Sequence, residues 1–327
     1  MESKMIKVGL VGIGGMGNVH FNAYRRMTDA KVVAVADLRV DMAREKTAGT
    51  DANIYATLEE LLANEKCDII DICTPSYLHT GMAITALEAG CNVISEKPMS
   101  VSTADTKRVI DTAKRVGKLF MTAHVVRFMS RYAYLRDLIN SGELGKPVHI
   151  MMNRISSVPR WSFEDWMRDL NKSGGTPFDL SIHDLDFAYS VFGEPKDVNC
   201  VYHSLKDNND YVVSNLIYDG FTVSATGAWY NAEIPFNASF KAIFENGYLF
   251  SEGELFVKNG EKVTLAVKED AVSETAINIP RADGYYDELE YFINCVKTNT
   301  PPSAVTPESS EGSVKLVERL LASAIKI

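Results

Sequence analysis

Over the first third of the chain, short apolar runs alternate with segments of helical period. "KVGLVGI", "KVVAVAD", "DIIDICT" and "CNVISE" read as strands, with residues 16–27, "DMAREKT", "TLEELLAN" and residues 78–89 as the helices between them. Thr57 and Glu60 form a capping box at the third of these helices, and Gly90 stops the fourth. A helix over 102–116, capped by Ser102 and ended by Gly117, precedes a sixth strand in "KLFMTAH". Near-continuous apolar strands joined by helical crossovers predict a doubly wound parallel sheet, covered on both faces.

Beyond about residue 145 the pattern changes. "PVHIMMNRI" reads as a strand, the region of Trp161 and Trp166 as irregular, and residues 174–193 as a helix apolar nearly all round. Alternating runs from Val198 to Val267, broken by "DNND", "YDG", "ENG" and "KNG", predict a largely antiparallel sheet. "NTPPSAVTPESS" is a loop before the last helix. The expected organisation is therefore an α/β protein of two domains, 1–124 and 125–327.

Composition agrees with that size and removes some partners. The 327 residues, 46% of them hydrophobic and 24% charged, suffice for two cores. Net charge is −9 with no basic block, so neither a nucleic acid nor a membrane is expected as partner. Five cysteines without a CxxC spacing read as reduced thiols. "MESKMIKVGLVGIGG" has no secretory pattern, and no apolar run reaches the roughly 18 residues of a membrane span. A cytoplasmic location is expected.

Within "GGTPFDLSIHDLDFAYSVFG", Asp179, His183 and Asp186 are spaced i, i+4, i+7. At about 100° per residue they share a sector of roughly 60° on a helix whose other directions are apolar. Such a stripe fits a cleft wall with acid and base groups. The run Thr176-Pro177-Phe178-Asp179 is equally a helix start, with Asp179 as a cap.

Gly12-Ile13-Gly14-Gly15-Met16-Gly17 follows a strand and opens a helix. Gly12 suits the tight turn, Gly14 the close approach of backbone to a pyrophosphate, and Gly17 the contact of helix with strand, the phosphates lying at a helix N-terminus. Asp37 ends the second strand 20 residues after Gly17, where a carboxylate accepts ribose hydroxyls and repels a 2′-phosphate. NAD is the expected cofactor. Arg39, two residues on, is the group that would admit NADP.

Two further strand ends carry marked residues, Thr74-Pro75-Ser76-Tyr77-Leu78-His79 and Glu96-Lys97-Pro98, and ligands bind at such ends in open α/β sheets. Lys97 is either solvated or placed to orient a substrate hydroxyl, and His79 either borders the nicotinamide or solvates a helix start. His20, His124, His149 and His203 show no metal-ligand spacing, so no metal is expected.

Together these motifs resemble the Gfo/Idh/MocA family, named for glucose-fructose oxidoreductase, inositol dehydrogenase and a rhizopine catabolism protein. The likeness runs from the glycine motif with Asp37, through the Thr-Pro stretch with His79, Glu96-Lys97-Pro98 and the Asp179/His183 pair, to "YYDELEYFINCVKTNTPP". It implies an N-terminal Rossmann domain, a C-terminal α/β domain with an open, mostly antiparallel sheet, dimers or tetramers built on that sheet, and a Lys97-Pro98 peptide that is cis in many relatives. It assigns Gly12, Gly14, Met16, Gly17, Asp37, Arg39, Thr74, Pro75, His79, Glu96 and Lys97 to the cofactor.

The resemblance makes His183 the base for a secondary alcohol of a sugar or cyclic polyol, with Lys97 on the same oxygen and Asp179 orienting hydroxyl or imidazole. It sets His124 and Arg127 at the substrate pocket and leaves Asp186 structural. Trp166, Trp229 and Tyr230 are either sugar-facing or core. Leu180 departs from the small or hydroxylated residue usual in inositol dehydrogenases, leaving inositol itself open. The other two readings are a glycosidase using NAD as an internal redox relay and a non-catalytic NAD-binding protein.

Overall fold

A computed structural model describes residues 5–266, 277–280 and 283–327. The predicted alternation is realised as β1 (Ile6–Val11), α1 (Gly15–Tyr24), β2 (Ala30–Ala36), α2 (Val40–Lys46), β3 (Asn53–Tyr55), α3 (Leu58–Asn64), β4 (Ile69–Ile72), α4 (Ser76–Glu88), β5 (Asn92–Glu96), α5 (Thr103–Val116) and β6 (Phe120–Ala123). All six strands run parallel in the order β3-β2-β1-β4-β5-β6. That order reverses direction between β1 and β4, the switch point where such sheets bind ligands. Val8, Leu10, Ile69, Ile70, Val93 and Ile94 are fully buried, as strands covered on both faces require.

Local signals are mostly realised. Thr57 accepts the Glu60 amide at α3, and the Glu60 carboxylate reaches back to Ala56 N. Gly117 ends α5 in the left-handed region. Ser102 precedes α5 without a side-chain cap.

The second half contains α6 (Ser130–Ser141), β7 (Pro147–Ser157), α7 (Leu170–Ser173), α8 (Ile182–Phe192), β8 (Asp197–Lys206), β9 (Asn209–Ile217), β10 (Thr222–Tyr230), β11 (Asn237–Phe244), β12 (Gly247–Glu252), β13 (Leu255–Lys258), β14 (Glu261–Ala266), β15 (Ile277–Pro280), α9 (Gly284–Thr298), α10 (Pro307–Ala322) and β16 (Ile325–Lys326). Its sheet has the order β15-β14-β13-β12-β11-β7-β10-β9-β8-β16 and is mixed but mostly antiparallel; the β7/β10, β14/β15 and β8/β16 pairs are parallel. Val267, the expected end of the alternating series, lies outside the described residues.

The chain forms two units, Met1–Val125 with Tyr285–Glu311, and Val126–Gly284 with Gly312–Ile327. The first break falls next to the expected 124/125 boundary. The expectation of one continuous second domain over 125–327 is corrected, because most of α9 and the loop after it belong to the first unit. The helix is amphipathic and buries Leu289, Phe292 and Ile293, and Lys297 near its end pairs with Asp29. All five cysteines are free, and among the described residues no helix is long and apolar enough to cross a membrane.

Candidate active site

The glycine motif closes the turn from β1 into α1. Gly12 has φ +84°, and a Cβ there would meet Cys73 O at 2.8 Å; a Cβ on Gly17 would lie 1.8 Å from Gly12 O. These two glycines are demanded by the protein's own backbone. Gly14 differs: a Cβ there would find only Arg39 Nη2, at 3.7 Å. Gly14 is also the N-cap of α1, with no side-chain capping bond. A helix N-terminus left uncapped beside open space is a cradle for phosphate, and the residues present therefore fit a dinucleotide.

Asp37 accepts the Ile13 amide on Oδ2 (3.0 Å) and the Arg39 amide on Oδ1 (2.8 Å). The Arg39 guanidinium returns to the same carboxylate, Nε to Oδ1 at 3.2 Å. The acid thus ties the end of β2 to the glycine loop, while Arg39, more than a third exposed, hangs on it as a movable cation. Lys46, at the end of α2, donates from Nζ to Ile13 O (2.8 Å) and Gly14 O (3.2 Å). Its ammonium therefore sits on the phosphate loop from a position 29 residues beyond Gly17, and no motif spacing announces it.

At the ends of β4 and β5, His79 is neither solvated nor at the surface. It is 1% exposed and bridges the two strand ends, Nε2 to Thr74 O and Nδ1 to Pro98 O, both at 2.8 Å. Burial pulls this imidazole below its ordinary value against the raising effect of the two carbonyls. The bridge holds Thr74 and Pro75 against the loop of Lys97, whose peptide with Pro98 is cis. Glu96 is 6% exposed and accepts the Lys97 amide on Oε2 at 3.0 Å.

Beneath these ends lies a cluster no motif marked. His20 Nδ1 is 2.9 Å from Asp71 Oδ2, which also accepts from Tyr24 Oη at 3.0 Å; His20 Nε2 is 3.3 Å from Glu96 Oε1. Cys73 Sγ contacts His20 Nδ1 and Asp71 Oδ1 at 3.3 and 3.4 Å. His20, Asp71 and Cys73 lie within 4.8 Å of one another, close enough to invite a metal reading, but their polar atoms pair directly and explain the cluster as hydrogen bonding.

In the second unit, Gly174 and Gly175 take φ +73° and +68° to turn α7 into the next segment. A Cβ on Gly175 would meet Asp210 Oδ2 at 2.5 Å, the oxygen that accepts the Thr176 amide at 2.8 Å. A helix does start here, with Pro177 in its first turn, but Thr176 has helical dihedrals and makes no side-chain capping bond; Pro177–Ser181 form a π-helical turn that leads into α8. Gly227 on β10 lets the turn sit against the sheet, since a Cβ there would strike Ser181 Oγ at 2.5 Å. Wide turns of this kind often mark functional sites.

The turn divides the predicted stripe. Over 175–188 every residue is buried except Asp179 and His183, which are partly exposed. Asp186 is fully buried and grips Arg127 in a bidentate pair, Nε to Oδ2 at 2.8 Å and Nη2 to Oδ1 at 2.6 Å, with Ser313 Oγ on Oδ1 at 2.7 Å. Arg127, expected at the substrate, has this structural partner, and the structural reading of Asp186 holds. His124 is 1% exposed. Trp229, also 1% exposed, packs with Val158, Met167 and Leu180, so it is core. Leu180 shares that core.

The description "Oxidoreductase family, NAD-binding Rossmann fold" matches residues 6–124, and "GFO/IDH/MocA C-terminal domain" matches residues 132–249. The chain belongs to the Gfo/Idh/MocA family. It is an NAD-binding oxidoreductase by that membership. Among Gfo/Idh/MocA relatives, the myo-inositol 2-dehydrogenase of Thermotoga maritima is 26% identical over 95% of this chain and 94% of its own length. The D-glucoside 3-dehydrogenase of Escherichia coli is 31% identical over 61% of this chain and 58% of its own length. Among solved structures, the WlbA dehydrogenase from Bordetella pertussis, in complex with NADH and UDP-GlcNAcA, shares the fold at TM-score 0.82 and 21% identity, covering 99% of this chain and 96% of that one.

Proposed function

We propose that this protein transfers a hydride between NAD and a secondary alcohol or ketone of a sugar or cyclic polyol. The observation that carries the proposal is that, in an otherwise buried segment, the partly exposed side chains are the carboxylate of Asp179 and the imidazole of His183. An acid and an imidazole one helical turn apart are the equipment for moving a hydroxyl proton near neutral pH.

In this reading His183 takes the proton of the reacting hydroxyl at an imidazole nitrogen, and Asp179 orients a substrate hydroxyl or the imidazole and stabilises its charged form. Lys97 hydrogen-bonds the same oxygen and favours its alkoxide-like state. Bound NAD supplies the hydride acceptor. Gly12, Gly14, Met16, Gly17, Asp37, Thr74, Pro75 and Glu96 line the cofactor, and Asp37 makes it NAD rather than NADP. Relatives that act on inositol and on glucosides support the substrate class. Assembly into dimers or tetramers belongs to the same reading and is measured by light scattering.

The test is nicotinamide reduction by the purified protein, with NAD and NADP separately, over inositol isomers, aldoses and glycosides. Reduction by one stereochemical group, abolished in Lys97→Ala while NADH binding persists, is expected. Turnover by Lys97→Ala would overturn the roles, and aglycone release without net reduction would favour the redox-relay glycosidase.

A further inference from the structure

The buried cluster under the strand ends has an odd charge balance. Asp71, Glu96 and Glu288 bring three carboxyl groups, and His20 one imidazole, into a space almost closed to water. α1 supplies His20 and Tyr24, the end of β4 supplies Asp71 and Cys73, the end of β5 supplies Glu96 and Lys97, and α9 supplies Glu288 and Tyr285, whose ring centroid lies 6.3 Å from that of His20. His79 on α4 adds its field at Glu96.

Neither oxygen of Glu288 has a hydrogen-bond partner, and burial, with Glu96 and Asp71 nearby, pushes its carboxyl well above its ordinary value. Glu288 therefore keeps its proton to a higher pH than an ordinary carboxyl. His20 faces carboxylate oxygens from both ring nitrogens, Asp71 from Nδ1 at 2.9 Å and Glu96 from Nε2 at 3.3 Å. Nδ1 is hydrogen-bonded to Asp71, whereas Nε2 meets Glu96 as an ion-pair contact without hydrogen-bond geometry, and a ring set between two carboxylates is favoured in its charged form. Burial lowers this imidazole, while Cys73 and Asp71 raise it further, and the net is well above the ordinary value.

We propose that His20 is a positioning residue for Lys97. Clamped by Asp71, it sets its charged ring against Glu96, Nε2 3.3 Å from Oε1, and holds that carboxylate so that Oε2 fixes the Lys97 amide. Without the imidazolium, Glu96 is a buried charge that keeps the Lys97 amide but loses the cation beside it, and it rotates or takes a proton, releasing the loop that carries Lys97. This inference rests on the reading of Lys97 as the group at the reacting oxygen.

Nitrogen NMR of the unmutated protein is the first test, because it needs no substrate. Both His20 ring nitrogens carry protons at pH 8 if the inference holds; a neutral ring there overturns it. In His20→Asn the hydrogen-bonded amide proton of Lys97 shifts upfield, and NAD reduction by the best alcohol of the panel loses about 10- to 100-fold in kcat with KM little changed. His20→Gln, which can again donate toward Glu96, recovers part of both. A folded His20→Asn with an unmoved Lys97 amide and unchanged kcat overturns the inference even if Lys97→Ala is inactive. An active Lys97→Ala would instead remove the reading on which it rests. Should His20→Asn fail to fold, the ring-nitrogen shifts decide.

Discussion

Arg127 and Asp186 meet as a fork-to-fork ion pair, with side chains 6% and 1% exposed and bonds of 2.8 and 2.6 Å. Breaking a sealed pair from one side leaves the other charge buried without compensation, which costs about 3–5 kcal/mol. Asp186→Ala is therefore expected to lower the unfolding free energy by about that amount, measured by urea denaturation. A shift below about 1 kcal/mol, with the slope of the transition unchanged, would mean that Arg127 is relieved by another acceptor.

Glu288 makes stability fall as the solution becomes alkaline. Its folded carboxyl is raised well above 4.5 by burial first, so the native state binds more protons than the unfolded chain once pH exceeds that value. Proton excess in the native state means stability is lost as pH rises toward the folded value. Glu288→Gln, isosteric and neutral, should therefore flatten the fall of melting temperature between pH 6 and 9 and exceed the parent at the alkaline end. Parallel curves for the two proteins would show that Glu288 does not carry this proton.

The sequence shows the parallel sheet plainly because strand and crossover periods are local, and the glycine motif because its spacing lies within one turn. Asp179 and His183 stand out for the same reason. What four separate elements assemble does not: His20, Asp71, Glu96 and Glu288 are far apart in the chain, and although Glu96 is marked by its strand end, nothing in the spacing joins it to the other three. Amphipathic spacing in α9 predicts that one face is buried, but not that the helix joins the first unit. Leu180 follows a residue read as catalytic, yet the π-helical turn sends its side chain into the core beside Trp229. His79 illustrates a further limit, since a side chain that bridges two carbonyls leaves no trace in the spacing of residues.

Lys46 supplies a charge to the cofactor loop. Its ammonium already rests on Ile13 O and Gly14 O, so a dinucleotide diphosphate at that loop gains attraction without much further ordering of the side chain. Lys46→Met should weaken NADH binding by about tenfold, equivalent to about 1.4 kcal/mol, with a smaller loss at high salt. Fluorescence titration of NADH at two ionic strengths checks this. Equal affinity for parent and variant would confine Lys46 to bracing the loop.

Gly12, Gly14 and Gly17 separate by what each must avoid. Gly17→Ala drives a methyl into Gly12 O, 1.8 Å away, so it should cost folding stability whether or not cofactor is present. Gly12→Ala adds a positive φ to a 2.8 Å clash with Cys73 O and should behave alike. A methyl on Gly14 meets nothing of the protein nearer than 3.7 Å and projects where the phosphates are expected. Gly14→Ala should therefore keep the parent's melting temperature without cofactor, lose at least about tenfold in NADH affinity, and show almost none of the thermal stabilisation that saturating NADH gives the parent. Thermal scans with and without NADH make the comparison. If Gly14→Ala is stabilised by NADH as fully as the parent, the diphosphate does not pass over Gly14, and the cradle must be sought elsewhere along the loop.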